Sequence, residues 1–272
     1  MAVSERIIKA VDEVEQIVLN AAKSDIIYFQ FHKQRYIQMA ASIESRCKSN
    51  GKILDIGSHF LHSTLILQKL GYKVYGMDVS AFWDIDWVKE RAAQYGITSI
   101  KEDHLETMKT MVSVQDEFDV IVFAEIFEHI TFNPIGLWQN IYRITCSEGF
   151  IYLSTPNSLT LYNMLKSLKN IFLFKGIGLD VEMIFRSVTY GHHWKEYSAH
   201  EIRNYFKTLS DDFKVKINHY HYKNYPKQSF IDKCRNFLIA CSNQFPSCKE
   251  ELEILIEVHK TGNWKVREPQ YN

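Results

Sequence analysis

The 272-residue sequence has no net charge, because 32 Lys and Arg residues balance 32 Asp and Glu residues. It lacks the overall positive field that would attract it to nucleic acid or to an anionic membrane, although a local basic patch is still compatible with this balance. No run approaches the roughly 18 apolar residues of a membrane-spanning helix. Residues 1–6 also lack the apolar core of a signal peptide. We therefore expect a cytoplasmic protein without a transmembrane segment.

The cysteines are few and show no paired spacing. There are five, an odd number, and none forms the C-x-x-C pairs of a zinc site. Reduced thiols are the simplest interpretation. The sequence also lacks internal repeats, low-complexity stretches and the G-x-G-x-x-G fingerprint of dinucleotide dehydrogenases. Its length and its 46% hydrophobic content suit one large globular domain, alone or with helical additions.

The most informative stretch is residues 51–59. Residues 52–56 are a short, mostly apolar run that predicts a buried parallel strand, followed by a tight turn at Gly57 and a helix beginning near Ser63. Ligands of open α/β sheets bind at such a turn, because a Gly lets the ligand approach the backbone and the next helix presents unsatisfied N–H groups. Residues 72–78 predict a second strand, and its terminal Asp78 stands where α/β nucleotide folds hold ribose hydroxyls.

The acids Asp55, Asp78 and Asp103 and the apolar strand at residues 118–125 follow one another in a characteristic order. In this order the sequence resembles the class I S-adenosylmethionine (SAM)-dependent methyltransferases, most closely over residues 52–155. The resemblance implies an α/β, Rossmann-like, doubly wound sheet of seven strands, mostly parallel with one antiparallel strand, and SAM as the methyl donor. A Rossmann-like domain that binds another nucleotide, or none, is the alternative.

The same resemblance implies a set of cofactor contacts at the carboxyl ends of the first four strands. Asp103 would accept a hydrogen bond from the adenine amino group, and Phe82 or Trp83 would pack on the adenine unless they belong to the core. One departure from the family is that His59 and Leu61 stand where further glycines are usual. The expected cofactor-binding residues are Asp55, Gly57, Ser58, His59, Asp78, Val79, Asp103, His104 and Glu125.

Helical additions are predicted on both sides of this core. Apolar residues at helical spacing predict two helices, at residues 5–22 and 27–47, and the resemblance implies that residues 1–50 form a lid over the cofactor crevice. Residues 51–272 would then form the methyltransferase domain. An apolar segment at about residues 158–190 predicts a helical cap insertion that shapes the acceptor site. A homodimer contact or a membrane-surface contact would explain its apolar density equally well.

The chemistry is expected at Glu125, Glu128 and His129, which follow the fourth strand at positions i, i+3 and i+4 and would share one face of a helical turn. Two carboxylates and an imidazole suit Mg²⁺, Mn²⁺ or Zn²⁺. This E-x-x-E-H string resembles the O-methyltransferases of ubiquinone biosynthesis and the small-RNA 3′-terminal 2′-O-methyltransferases. In the second group a downstream His in an H-x-x-E-aromatic setting adds a ligand, a setting that His193 matches. The resemblance implies Glu125, Glu128, His129 and His193 as metal ligands, with His129 and Glu128 catalytic.

Several functions share these motifs. The first is metal-assisted O-methylation of a hydroxyl on a small-molecule, sugar or glycan-type acceptor. His129 could also act alone as a general base, and Glu128 and His129 could merely cap the helix. RNA 2′-O-methylation is disfavoured by the zero net charge and by the lack of a basic, aromatic-interleaved stretch. N-methylation and a non-catalytic SAM-binding partner are further alternatives, the latter because of the altered turn at His59 and Leu61.

Overall fold

The computed structural model describes residues 3–19, 23–179, 181–186, 188, 191–222 and 229–269. Seven strands form one sheet in the order β3-β2-β1-β4-β5-β7-β6, and β7 runs antiparallel to both of its neighbours while the other strands are parallel to one another. This confirms the predicted sheet. The strands are β1 (Lys52–Ile56), β2 (Lys73–Asp78), β3 (Thr98–Lys101), β4 (Phe118–Ala124), β5 (Thr145–Pro156), β6 (Phe213–Tyr220) and β7 (Glu251–Val258).

Helices cover both faces of the sheet. In the described part of the chain, the connections contain three short 3₁₀ turns, Lys109–Met111, Phe127–His129 and Pro246–Cys248. The α-helices in the described residues are α1 (Glu5–Leu19), α2 (Lys23–Glu44), α3 (His62–Lys69), α4 (Ser80–Trp83), α5 (Asp86–Tyr95), α6 (Ile135–Ile144), α7 (Leu161–Phe172), α8 (Val181–Arg186), α9 (Ala199–Leu209) and α10 (Phe230–Asn243).

The central strand β4 shows how the two cores form. Its apolar residues alternate between the faces of the sheet: Val120 and Val122 pack with helices α1, α2, α3 and α5, and Ile121 and Phe123 pack with α6 and α9. All four side chains are fully buried. A strand that is covered on both faces needs continuous apolar sequence, and this is why the strand could be predicted from composition alone.

Element boundaries differ from the predictions where local irregularities intervene. The predicted fifth strand begins at residue 150, whereas β5 begins at Thr145, because Phe118 pairs with Thr145 and the register then shifts before Val120 pairs with Phe150. The second helix begins at Lys23 instead of residue 27. Residues 20–22, at the end of the first predicted helix, and residues 180, 187, 189 and 190 of the predicted cap lie outside the described residues. No helix of the described chain has the length and hydropathy needed to cross a membrane.

Candidate active site

A cavity of about 620 Å³ opens at the carboxyl ends of β1, β2 and β4. Its volume falls within the range of small-molecule sites. Helix α2 closes one side with Tyr28, Arg35 and Tyr36. The predicted site residues that line it are Asp55, Gly57, Ser58, His59, Asp78, Val79, Asp103, Glu125 and His129.

The turn between β1 and α3 has the backbone of a glycine-rich loop although it contains only one glycine. Gly57 has φ +74°, and a Cβ built there would lie 2.2 Å from Cδ1 of Ile126. His59 and Leu61 also adopt left-handed conformations, with φ 46° and 66°. Such conformations favour glycine, so these two residues carry a backbone strain of about 1 kcal/mol or more each. Aromatic contacts hold the His59 ring, whose centroid lies 4.6 Å from that of Tyr28.

Two buried acids organise this turn. Oδ2 of Asp55 accepts hydrogen bonds from the hydroxyls of Ser63 and Thr64, both at 2.7 Å, and so attaches the end of β1 to the start of α3. The backbone N–H of His59 donates to Oδ2 of Asp78 at 2.7 Å. Burial raises the pKa of Asp55 and of Asp78 to about 6 in each case. Carboxylate oxygens keep further lone pairs, so Asp78 can brace the turn and still accept from a ligand hydroxyl.

The acids after β3 have different surroundings. Asp103 lines the cavity and accepts hydrogen bonds from the backbone N–H and the hydroxyl of Ser80, at 2.7 and 2.6 Å. Glu102 is buried and accepts from the backbone N–H groups of His104 and Thr110. The His104 side chain is exposed and does not line the cavity, so this predicted cofactor contact has no side-chain counterpart in the described site.

Sequence reasoning missed Arg35, which lies on α2 and faces the cavity. Its side chain is 6% exposed, and Nη1 lies 3.5 Å from Oε1 of Glu125. Among the described residues, Nε and Nη1 have no hydrogen-bond acceptor. The guanidinium is therefore ion-paired with Glu125 and keeps an Nε donor without an acceptor, which suits a ligand carboxylate such as that of SAM. The available signal was the aromatic stripe of α2, in which Arg35 stands beside Tyr36.

A buried polar network attaches α2 to the rest of the domain. Nε2 of His62 donates to Oδ1 of Asp25 at 2.7 Å, and Nη2 of Arg91 donates to Oδ2 at 2.6 Å. The Tyr36 hydroxyl lies 3.2 Å from Nδ1 of His62. Burial lowers the pKa of His62, so its neutral ring can donate to Asp25 and accept from Tyr36. The α2 wall of the cavity is therefore held by residues from α3 and α5.

Beside the cavity, the ligand atoms of Glu128, His129 and His193 lie within 4.8 Å of one another. His193 lies more than 60 positions after Glu128 and His129 in the sequence, and the segment after α8 brings it to the turn after β4. The ring centroids of the two histidines are 4.9 Å apart and nearly perpendicular. Nε2 of His129 lies 3.9 Å from Oε1 of Glu128, which is buried without a hydrogen-bond donor among the described residues.

Hydrogen bonds orient both imidazoles. Nδ1 of His129 donates to the carbonyl oxygen of His192 at 2.8 Å, which leaves Nε2 with its lone pair. Nδ1 of His193 lies 3.3 Å from Oε1 of Glu196, and Oε2 of Glu196 accepts from Asn163. Carbonyl and carboxylate partners of this kind hold metal-binding histidines in one tautomer. His192 is buried and contributes its carbonyl group.

Glu125 lies outside this cluster. It adopts a left-handed conformation with φ 57°, and a 3₁₀ turn follows it, so the expected helical face through Glu125, Glu128 and His129 does not form. Oε1 of Glu125 accepts from the Ser154 hydroxyl at 2.8 Å and lies beside Arg35. The structure thus brings together three of the four predicted metal ligands and places Glu125 on the cavity wall.

Charge and burial act differently on the three clustered side chains. Burial raises the pKa of Glu128 to about 8, and the nearby Glu125 carboxylate adds to the effect. Burial lowers the pKa of His129, whereas the hydrogen bond to Glu196 raises that of His193. The Glu128 carboxyl group is buried and hard to ionise, and imidazole nitrogens with lone pairs lie next to it. A bound cation would compensate the negative charge of its ionised form.

Comparisons with known proteins identify the fold. One solved structure with this architecture is a SAM-dependent methyltransferase from Archaeoglobus fulgidus, at TM-score 0.50 and 16% identity, covering 85% of this chain and 99% of that chain. Another is a complex of the Haloferax volcanii Trm112 methyltransferase activator with a putative methyltransferase, at TM-score 0.54 and 13% identity, covering 95% and 100%. A possible histamine N-methyltransferase from Thermotoga maritima has TM-score 0.50 and 14% identity, covering 92% and 100%.

The family assignment comes from sequence. None of the curated proteins that were searched matches this chain. A family model for a methyltransferase domain matches residues 29–209, which is more than half of the chain. The matched range includes the clustered residues, most of α2 and the cavity lining apart from Tyr28. The chain therefore belongs to the methyltransferase-domain family and is a SAM-dependent methyltransferase of the class I superfamily.

Proposed function

We propose that this enzyme transfers the methyl group of SAM to a hydroxyl of a small-molecule or sugar-type acceptor, with a divalent metal held beside the cavity. The observation that supports this proposal is the convergence of Glu128, His129 and His193 within 4.8 Å. The methyl donor is already activated, so the protein has to align the acceptor and handle the hydroxyl proton.

The clustered residues fit a metal. Oε1 of Glu128 is buried without a donor, and both histidines have Nδ1 hydrogen-bonded and Nε2 available. One carboxylate and two imidazoles suit Zn²⁺ or Mn²⁺, and Mg²⁺ less well. A bound ion of this type would lower the pKa of an acceptor hydroxyl. Glu125, the fourth predicted ligand, would bind only after leaving Ser154, so we assign it to the cavity wall.

The remaining residues would position the cofactor and the acceptor. Asp78 would accept from the ribose hydroxyls, and Arg35 would bind the cofactor carboxylate through its Nε donor, beside the ion pair of Nη1 with Glu125. His129, whose Nε2 lies at the cavity edge, would accept the acceptor proton where no metal is present. Helix α2, which lines the cavity, would cover the cofactor as part of the lid expected at residues 1–50, and residues 158–190 would form the cap.

Calorimetric titration with SAM, followed by titration with Mn²⁺ and Zn²⁺, tests this proposal. We expect SAM binding by the wild type and by Glu128→Gln, and a metal-binding signal that Glu128→Gln weakens at least tenfold. Glu90→Gln, an exposed acid on α5, is the matched control and should leave both signals unchanged.

A methylation assay then identifies the acceptor class. Metal-dependent transfer to polyols or catechols would support the proposal. SAM binding without any metal signal would contradict the metal, and turnover with amines that is lost in His129→Ala would replace O-methylation by N-methylation.

A further inference from the structure

The amphipathic helix α7 is oriented with its apolar face outward. Its polar side chains Asn163, Ser167 and Asn170 are half-buried, and Asn163 donates to Glu196 at 3.0 Å. The helix has no fully buried residue. Surface helices of globular proteins show the opposite arrangement, with the apolar stripe toward the core. The exposed apolar residues of α7 are Tyr162, Met164, Leu165, Leu168, Ile171 and Phe172.

The chain that follows α7 is also rich in exposed apolar side chains. Phe174 is 98% exposed and Phe185, on α8, is 84% exposed. Further exposed apolar side chains come from Leu173, Ile177, Val181, Met183, Ile184 and Val188. We call the described residues of 161–188 the apolar cap surface. It is far more apolar than the scattered exposed residues that are normal for a protein surface, and such surfaces mark interaction sites.

Positive charges border this surface. Lys166 and Lys169 lie on α7 and Lys175 lies in the next loop, and none of the three forms an ion pair with another described residue. The one acid in the described part of the surface, Glu182, is paired with Arg186 at 2.8 Å. The surface is therefore locally basic within a chain whose total charge is zero. Lysines beside an apolar face extend their amines toward lipid head groups while the face enters the bilayer interface.

We propose that the apolar cap surface docks the enzyme on an anionic membrane surface. Phe172, Phe174 and Phe185 would enter the boundary between head groups and acyl chains, and the three lysines would contact anionic head groups. The charge pattern favours lipid over a second copy of this chain, because a two-fold contact would bring the same lysines of two copies together, whereas anionic lipid attracts them. The apolar cap surface lies outside the cavity lining, so this proposal is independent of the acceptor and metal chemistry.

Vesicle co-sedimentation of the full chain tests the proposal. The probes are vesicles of phosphatidylcholine alone and of phosphatidylcholine with phosphatidylserine at 4:1. We expect binding to the mixed vesicles that weakens at high salt and is lost in Phe174→Glu/Phe185→Glu. Val112→Glu, at a 68% exposed apolar residue in the connection between β3 and β4, is the matched control and should bind like the wild type.

A second pair of variants separates charge from apolar insertion. Lys166→Gln/Lys169→Gln should weaken binding to the mixed vesicles about 30-fold, because each lysine near an anionic surface strengthens vesicle binding about fivefold. Lys214→Gln/Lys216→Gln, two exposed lysines of β6, should leave binding within about twofold of wild type. SAM affinity, measured in parallel, should stay unchanged in all four variants and so excludes misfolding as the cause.

Three results would overturn the proposal. These are no binding to the mixed vesicles, equal binding by wild type and Phe174→Glu/Phe185→Glu, or a dimer in light scattering that this variant dissociates while vesicles remain unbound. The last result would assign the surface to a second copy of the chain.

Discussion

Asp25→Ala tests whether the α2 wall depends on one buried carboxylate. Asp25 is fully buried and accepts from His62 at 2.7 Å and from Arg91 at 2.6 Å. Arg91 is 6% exposed, so its charge would remain buried without a counter-charge in the variant. Removing one partner of a buried ion pair costs about 3–5 kcal/mol. Arg91 keeps a hydrogen bond to the Phe60 carbonyl at 2.8 Å, so we expect the lower end, about 3 kcal/mol.

Urea unfolding followed by circular dichroism measures this loss of unfolding free energy. Asp84→Ala is the matched control, because Asp84 also contacts two cations, Lys89 and Lys101, but on the exposed surface. Exposed pairs contribute about 1 kcal/mol or less. SAM binding should also weaken in Asp25→Ala, since His62 then no longer holds the Tyr36 hydroxyl at the cavity. A cost below about 1 kcal/mol, equal to that of Asp84→Ala, would refute the reasoning.

Three further predictions concern the turn after β1 and the cluster of Glu128, His129 and His193. Burial raises the pKa of Asp78 to about 6, and in the proposed cofactor site ribose hydroxyls would donate to its ionised form. SAM affinity measured by calorimetry should therefore fall about tenfold from pH 7 to pH 5, with a smaller decline in Asp78→Asn. Gly57→Ala should lower the unfolding free energy by about 1–2 kcal/mol in urea titrations, because φ is +74°; an unchanged midpoint would contradict this. Glu196→Gln should weaken Zn²⁺ binding about tenfold in a competition titration without changing SAM affinity, because it loosens His193.

Much of the fold could be predicted because its signals are local. The apolar run of β4 and the acids Asp55 and Asp78 at strand ends are adjacent to the elements they mark, and parallel strands bring their carboxyl ends to one edge of the sheet. The apolar density of residues 158–188 was also visible. Backbone irregularities were not visible in the sequence. The early start of β5 depends on a register shift, and the position of Glu125 depends on its left-handed conformation.

The sequence by itself predicted the sheet, the turn after β1 and the candidate acids and histidines of the site, because periodicity and strand-end acids need only neighbouring residues. Only the tertiary structure decided which of these candidates meet and which other residues join them. His193 reaches His129 across more than 60 residues, Arg35 enters the cavity from α2, and Asp25 joins His62 and Arg91 from two other helices. The outward direction of the apolar face of α7 also depends on long-range contacts, since a helical pattern shows that two faces exist but not which one the protein covers.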